Sequence, residues 1–211
     1  MKTLVRTTFI AAMALGASSA SAATVIFSDN FNRADNNTVG NGWSELEDAN
    51  NDVAVNNNTL RLRDNLTGQP DAAVGSTVID ATGYENITVT FDWRALGPNE
   101  AADDLMLSYA LAPAPNLTQQ NQWDQVFAGS DGGTSIFSES VTLGADTADS
   151  IFNLMFWTNV TNNNNGNGEG FRIDNLVVSG DAIAVVPLPA SASLLLLGFG
   201  GLTALRRRKT S

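Results

Sequence analysis

The 211-residue chain contains no cysteine and no histidine. Disulfide cross-links are therefore excluded, and the fold must be held by burial and hydrogen bonding. A Ser-His-Asp triad, a cysteine nucleophile and a Cys/His zinc site are excluded with them. Only carboxylate chemistry or oxygen-ligated metals remain. Lysine is nearly missing as well: Lys2 and Lys209 stand near the two ends and none lies between. Across residues 23–186, the five arginines Arg33, Arg61, Arg63, Arg94 and Arg172 face all 22 acidic residues, a formal charge of −17. Such a surface repels nucleic acid and anionic lipid headgroups and attracts divalent cations, so a nucleic-acid partner is excluded. Residues 23–181 also lack a convincing amphipathic helical period.

In its place stand short apolar runs separated by Asn, Asp and Gly clusters, the pattern of strands and turns. Residues 24–27, 43–47, 53–55, 60–63 and 72–79 read as strands. Asn56-Asn57-Asn58 reads as a tight turn before Leu60-Arg61-Leu62-Arg63, where leucines take one face and arginines the other. Residues 87–94 alternate most clearly, with Ile87, Val89, Phe91 and Trp93 on one face and Thr88, Thr90, Asp92 and Arg94 on the other. That pattern predicts a half-buried antiparallel strand. Further strands are expected at 105–111, 126–128, 136–143, 151–157 and 171–178, with 151–157 apolar on both faces as a central strand requires. In 171–178 the phase flips: Phe171 and Ile173 share one face, Leu176 and Val178 the other. A bulge at Asp174-Asn175 accounts for the flip. About ten strands without a helix predict an all-β, antiparallel sandwich of two sheets over residues 23–180, with 181–186 as a linker.

The two ends carry an address. Residues 1–22 have the three parts of a secretory signal: Lys2 and Arg6, a short apolar core around Phe9 to Leu15, and Ala20-Ser21-Ala22 at the cleavage positions. Export through the Sec translocon and removal by signal peptidase would leave Ala23 as the first residue. At the other end, residues 188–205 are uncharged. As a helix they reach roughly 27 Å, near the hydrocarbon thickness of a bilayer. Arg206, Arg207, Arg208 and Lys209 follow, and such a cluster stays on the cytoplasmic side. The body is thereby expected outside the cytoplasm, at least transiently anchored at the inner membrane.

The order of Val186-Pro187-Leu188-Pro189-Ala190, apolar span and basic end resembles the PEP-CTERM sorting signal of Gram-negative bacteria, in its Val-Pro-Leu-Pro-Ala form. Leu188 stands where the namesake pattern has glutamate. The resemblance covers residues 186–211 and implies an exosortase as partner and delivery to the cell surface or the extracellular polysaccharide. The body is similar to jelly-roll sandwiches of the concanavalin-like and carbohydrate-binding-module type at Ser28-Asp29-Asn30-Phe31, Phe91-Asp92-Trp93 and Arg172-Ile173-Asp174-Asn175-Leu176. That likeness implies neighbouring first and last strands, a structural calcium ion and, in many members, glycan binding.

Asp29, Asn30 and Asp174 are the candidate Ca²⁺ ligands, helped by Glu45, Glu47 or Asp52, since calcium takes six to eight oxygens. The same residue types are also ordinary turn formers. Among aromatics, Trp93 and Trp157 read as core. Trp43 and Tyr109 are weaker sugar platforms, and Trp123, amid Gln119 to Gln122 and Asp124-Gln125, is the best exposed one. A glycosidase would need two carboxylates with separated pKa values, for which Glu45/Glu47 and Asp103/Asp104 are the close pairs. Two functions follow: an exported, non-enzymatic envelope protein that binds glycan or serves structurally, or a secreted glycan-active hydrolase on the same fold.

Overall fold

The computed structural model describes residues 22–47, 51–64, 72–97, 99–160 and 169–184. The signal segment, the motif from Val186 to Ala190, the apolar span and the Arg206–Lys209 cluster lie outside them, apart from Ala22. Among the described residues no helix is long and apolar enough to cross a membrane.

Twelve strands are described: β1 Thr24–Asp29, β2 Ser44–Glu47, β3 Val53–Asn56, β4 Thr59–Asp64, β5 Ala72–Gly75, β6 Ile79–Asp80, β7 Tyr84–Ala95, β8 Asp104–Leu111, β9 Asp124–Gly129, β10 Phe137–Thr142, β11 Ile151–Asn159 and β12 Glu169–Ala182. They form two antiparallel sheets. The first runs β10-β7-β12-β4-β3, with β1 also on β12; the second runs β2-β5-β11-β8-β9, with β6 also on β11. The sheets pack face to face as a β-sandwich. Phe91 of the first meets Phe156 of the second edge-on at 5.1 Å, and Phe127 at 5.3 Å. Edge-to-face aromatic pairs of this kind add roughly 0.5–1.5 kcal/mol beyond their burial.

The alternation in β7 places its residues as expected: Ile87, Val89, Phe91, Trp93 and Ala95 are buried and their neighbours half-buried. The β3–β4 hairpin turns on Asn57 and Asn58, both at positive φ (52° and 56°), the backbone of a two-residue type I′ turn. Asparagine tolerates that region because its short side chain bonds locally.

β12 organises the first sheet. Along one edge it pairs with β7 over most of its length. On its other edge it pairs first with β4, up to Ile173, and then with β1, from Leu176. The bulge falls at that handover. Asp174 stands opposite Asp92 but Val177 opposite Thr90, so one extra residue enters β12, and Asn175 adopts φ 50°. The core face therefore shifts from Phe171 and Ile173 to Leu176 and Val178, all buried. β12 also extends beyond the expected boundary at residue 180, with Asp181 and Ala182 paired to Glu85 and Tyr84.

The expected single strand at 72–79 is two. β5 and β6 both pair with β11, and Ser76 bridges the break. Its amide donates to the Leu154 carbonyl at 2.8 Å, and its hydroxyl accepts from the Leu154 amide at 2.9 Å. A side-chain oxygen thus stands in for a ladder carbonyl. The outer face of the second sheet is not left to solvent. The loop between β8 and β9 folds back over it, so Leu117 and Trp123 pack on Ala73, Ala110 and Met155. A Cβ on Gly75 would lie 2.9 Å from Leu117, so glycine there permits the close approach.

Candidate functional site

Asp29 ends β1 and does lie near Asp174 across the β1–β12 pair, close enough for its charge to act on Asp174. Its oxygens, however, are already taken. Oδ1 accepts from the Phe31 amide and from the Arg33 guanidinium, each at 2.8 Å, and Oδ2 accepts from Trp43 Nε1 at 2.9 Å. Burial pushes this carboxyl up, but Arg33, the Phe31 amide and Trp43 together outweigh it and hold Asp29 below its usual range. Arg33 also supplies the positive charge a metal would bring. Asn30 is exposed, and its Oδ1 accepts from the Asn32 amide. Asp174 accepts from the Asn175 amide. These three residues do not fit a shared calcium cage; Asp29 instead pins the β1–β2 loop.

Glu45 and Glu47 lie on one face of the edge strand β2, opposite Val74 and Ala72. Glu45 accepts from the Val39 amide. Glu47 Oε2 accepts from the amides of Asn51, Asp52 and Val53 at 3.0–3.2 Å. Burial, then the charge of Glu47, raises the Glu45 pKa against the pull of the Val39 amide. Both carboxylates are therefore occupied in closing loops onto the sheet.

Trp123 requires a correction. It is only 6% exposed, its ring closing the small apolar cluster on the outer face of the second sheet. Its polar sequence neighbours point to solvent while the ring points in, which composition alone could not reveal. Trp43, Trp93 and Tyr109 are buried too, at 8%, 5% and 5%. Tyr109 donates to Asp146 at 2.8 Å, and burial, followed by that bond, pushes its phenol up to about 12. Trp157, expected in the core, is instead half-buried beside the small outer cluster, its Nε1 donating to Ser108 Oγ at 3.2 Å.

A different carboxylate set converges where it was not expected. Glu100, Asp103 and Glu169 bring ligand oxygens within 4.8 Å of one another, with Asp103 fully buried. Glu100 and Asp103 lie in the β7–β8 loop, where Asp103 Oδ2 also accepts from the Glu100 amide at 2.8 Å, and Glu169 opens β12. Three carboxylates so placed are the donor chemistry of a hard divalent cation, the kind of ion that the resemblance implies. Asp103 was legible only as half of a sequence pair; Glu169 is too distant in sequence to signal its partners.

The outer face of the first sheet is lined with charged and polar side chains. One row across it is Arg94, Arg172 and Arg61, directly opposite one another on β7, β12 and β4. The next row is Ser138, Asp92 and Asp174. A hollow of about 230 Å³ is lined by Thr59, Asp92, Arg94, Arg172, Asp174 and Asn175, with Trp93, Ile136 and Ile173. A second, of about 530 Å³, is lined by Phe27, Ser28, Asp29, Asn30, Asn32, Arg33, Asn41, Asn175, Leu176 and Val177. Asn175 belongs to both, so the bulge that breaks the β12 ladder places one exposed amide between two hollows. Its Nδ2 donates to Asp92 Oδ2 at 2.8 Å. The Ser138 hydroxyl, and then that bond, hold the Asp92 carboxyl below its usual range. The sequence alone points to Asp174 as a metal ligand and to a bulge at Asp174-Asn175, but not to Arg94 and Arg172 beside them. Their alternate positions in β7 and β12 were the available signal.

No family model matches the chain, and no curated protein matches it in sequence. Solved structures are similar in fold. A cleaved adhesin domain of Lys-gingipain from Porphyromonas gingivalis superposes with TM-score 0.50 at 11% identity, over 74% of this chain and 100% of that one. A CBM4 structure aligns at TM-score 0.44 and 14% identity, over 72% and 97%. A structure described with endo-acting O-glycanases of the human gut microbiota aligns at 0.44 and 11%, over 74% and 98%. The gingipain-domain likeness is one of fold, an antiparallel β-sandwich.

Proposed function

We propose that this chain is an exported envelope protein whose jelly-roll sandwich binds glycan without cleaving it. On this reading residues 1–22 direct export through the Sec translocon and are removed by signal peptidase. An exosortase then acts near Val186-Pro187-Leu188-Pro189-Ala190, and the body joins the cell surface or extracellular polysaccharide of a Gram-negative bacterium. Residues 188–205 cross the inner membrane until that step, and Arg206 to Lys209 hold its cytoplasmic end.

The observation that carries the binding claim is the polar strip joined at Asn175. Polyols are held by amides, carboxylates and guanidinium groups that donate and accept in fixed directions, and this strip offers all three on a rigid sheet. The likeness to adhesin domains supports the same reading. Glu45 and Glu47, which share one face of β2, each already accept backbone amides, which favours binding over chemistry. A structural calcium at Glu100, Asp103 and Glu169 belongs to the proposal as a brace between the β7–β8 loop and the start of β12. The test is retention of the chain on a panel of immobilised polysaccharides, with reducing ends assayed in the same samples. Retention without new ends supports the proposal. New ends lost in Glu45→Gln or Glu47→Gln would replace it with a hydrolase.

A further inference from the structure

Four of the five arginines between residues 23 and 186 lie on one face. Arg61 and Arg63 alternate with the buried Leu60 and Leu62 on β4, Arg94 follows the buried Trp93 on β7, and Arg172 lies between the buried Phe171 and Ile173 on β12. Three of them stand in direct register, Arg172 facing Arg94 on one side and Arg61 on the other. Like charges directly opposite across strands destabilise a sheet. Among the described residues none of these three is in an ion pair: Asp52 pairs with Arg63 instead, and Asp52 and Asp35 act on Arg61, and Asp35 on Arg172, only through space. Arg172 donates only to neutral oxygens, the Asn56 carbonyl at 2.6 Å, Asn56 Oδ1 at 2.7 Å and Thr59 Oγ1 at 2.8 Å. Arg61 donates to the carbonyl and side-chain oxygen of Asn51. Arg94 makes no hydrogen bond or ion pair among the described residues, where the ion pairs are Arg33–Asp29 and Arg63–Asp52. Burial, and then the neighbouring arginines, push the pKa of Arg61 and Arg172 down, which is the same repulsion seen from each group.

From this register we infer that the arginine row is the acidic-group subsite of the glycan strip: Arg94 and Arg172 receive a sugar carboxylate while Asp92, Asp174 and Asn175 take its hydroxyls. This rests on the glycan-binding reading and names the class of glycan, a uronate-type acidic polysaccharide. The hollow lined by Arg94 and Arg172 is where the two guanidinium groups and the aspartate row meet. Planar guanidinium forks match carboxylate geometry, and adjacent strands about 4.8 Å apart set two forks side by side. The body's negative field does not forbid this, since at physiological salt a charge is screened over about 8 Å and the row acts at contact.

The experiment is affinity electrophoresis of the full chain, in detergent, through gels containing polygalacturonate, the same polymer with its carboxyls reduced, or dextran sulfate. Arg94→Gln is the informative variant, because Arg94 anchors nothing else and its loss, which relieves the repulsion on Arg172, should not lower the melting temperature. Arg94→Lys keeps the charge without the fork. The expected result is retention on polygalacturonate at least tenfold tighter than on the reduced polymer, a loss of about tenfold in Arg94→Gln, and partial recovery in Arg94→Lys. Equal retention on acidic and reduced polymer, or acidic retention untouched by Arg94→Gln, overturns this inference and leaves glycan binding standing. Tighter retention on dextran sulfate overturns the carboxylate assignment. Retention on none of these and on no member of the polysaccharide panel overturns both readings.

Discussion

Trp43 Nε1 donates to Asp29 Oδ2 at 2.9 Å, joining the end of β1 to the residue just before β2. The Arg33 guanidinium and the Phe31 amide hold the other oxygen, so one half-buried carboxylate fixes the path of the whole intervening loop. Hydrogen bonds to a charged group contribute about 1.5–3 kcal/mol. Asp29→Ala is expected to lower unfolding stability by about 3 kcal/mol in urea melts at pH 7. The sign with pH follows from the depressed folded pKa. The stability Asp29 adds is present above the unfolded value of about 4 and drains as pH falls through the lower folded value. The gap between parent and Asp29→Ala should therefore narrow in acid.

Asp174 has the opposite sign. Burial, with Asp92 and Asp29 nearby, raises its pKa against the Asn175 amide. Its folded form holds a proton more firmly than the unfolded chain does, so at neutral pH the ionised group destabilises. Asp174→Asn is expected to raise stability by about 0.5–1 kcal/mol at pH 7, the size of a like-charge cross-strand pair. The gain should shrink as pH falls through the folded value towards the unfolded one, read from urea midpoints in a pH series.

Trp123→Ala should cost about 3–5 kcal/mol, the range for removing a buried tryptophan. The loop that covers Ala73 and Met155 loses its closing ring, so hydrogen exchange should accelerate in residues 112–123 and along β11. Glycan retention, measured below the variant's melting range, should be unchanged. Lost retention with unchanged stability would return Trp123 to the role its polar sequence neighbours suggested.

Excess Ca²⁺ should raise the melting temperature over EDTA, with about 2.7 kcal/mol of stabilisation at a hundredfold excess over the dissociation constant. Glu169→Gln should abolish most of the difference. No shift between the two conditions would remove the ion from Glu100, Asp103 and Glu169.

Much of the sheet architecture was legible because burial on one face writes a period of two. The β7 alternation, the Asn57-Asn58 turn and the phase flip at Asp174-Asn175 all express constraints local to a few residues. What the sequence concealed were relations set by pairing. Trp123 was hidden because a loop, not a strand, carries it inwards. The β5–β6 break was hidden because Ser76 mimics a backbone oxygen. The Arg94–Arg172–Arg61 row was hidden because each arginine sits in a different strand, 33 to 111 residues from another, and only the register aligns them.

The most direct measurement is intact-mass analysis of this polypeptide recovered from washed extracellular polysaccharide of the native cells. The expected species begins at Ala23, lacks Arg206 to Lys209, and leaves the polysaccharide only when a competing acidic glycan is added. A polypeptide beginning at Met1 and ending at Ser211, found free in the cytosol with none in the polysaccharide fraction, would contradict both the address and the binding role.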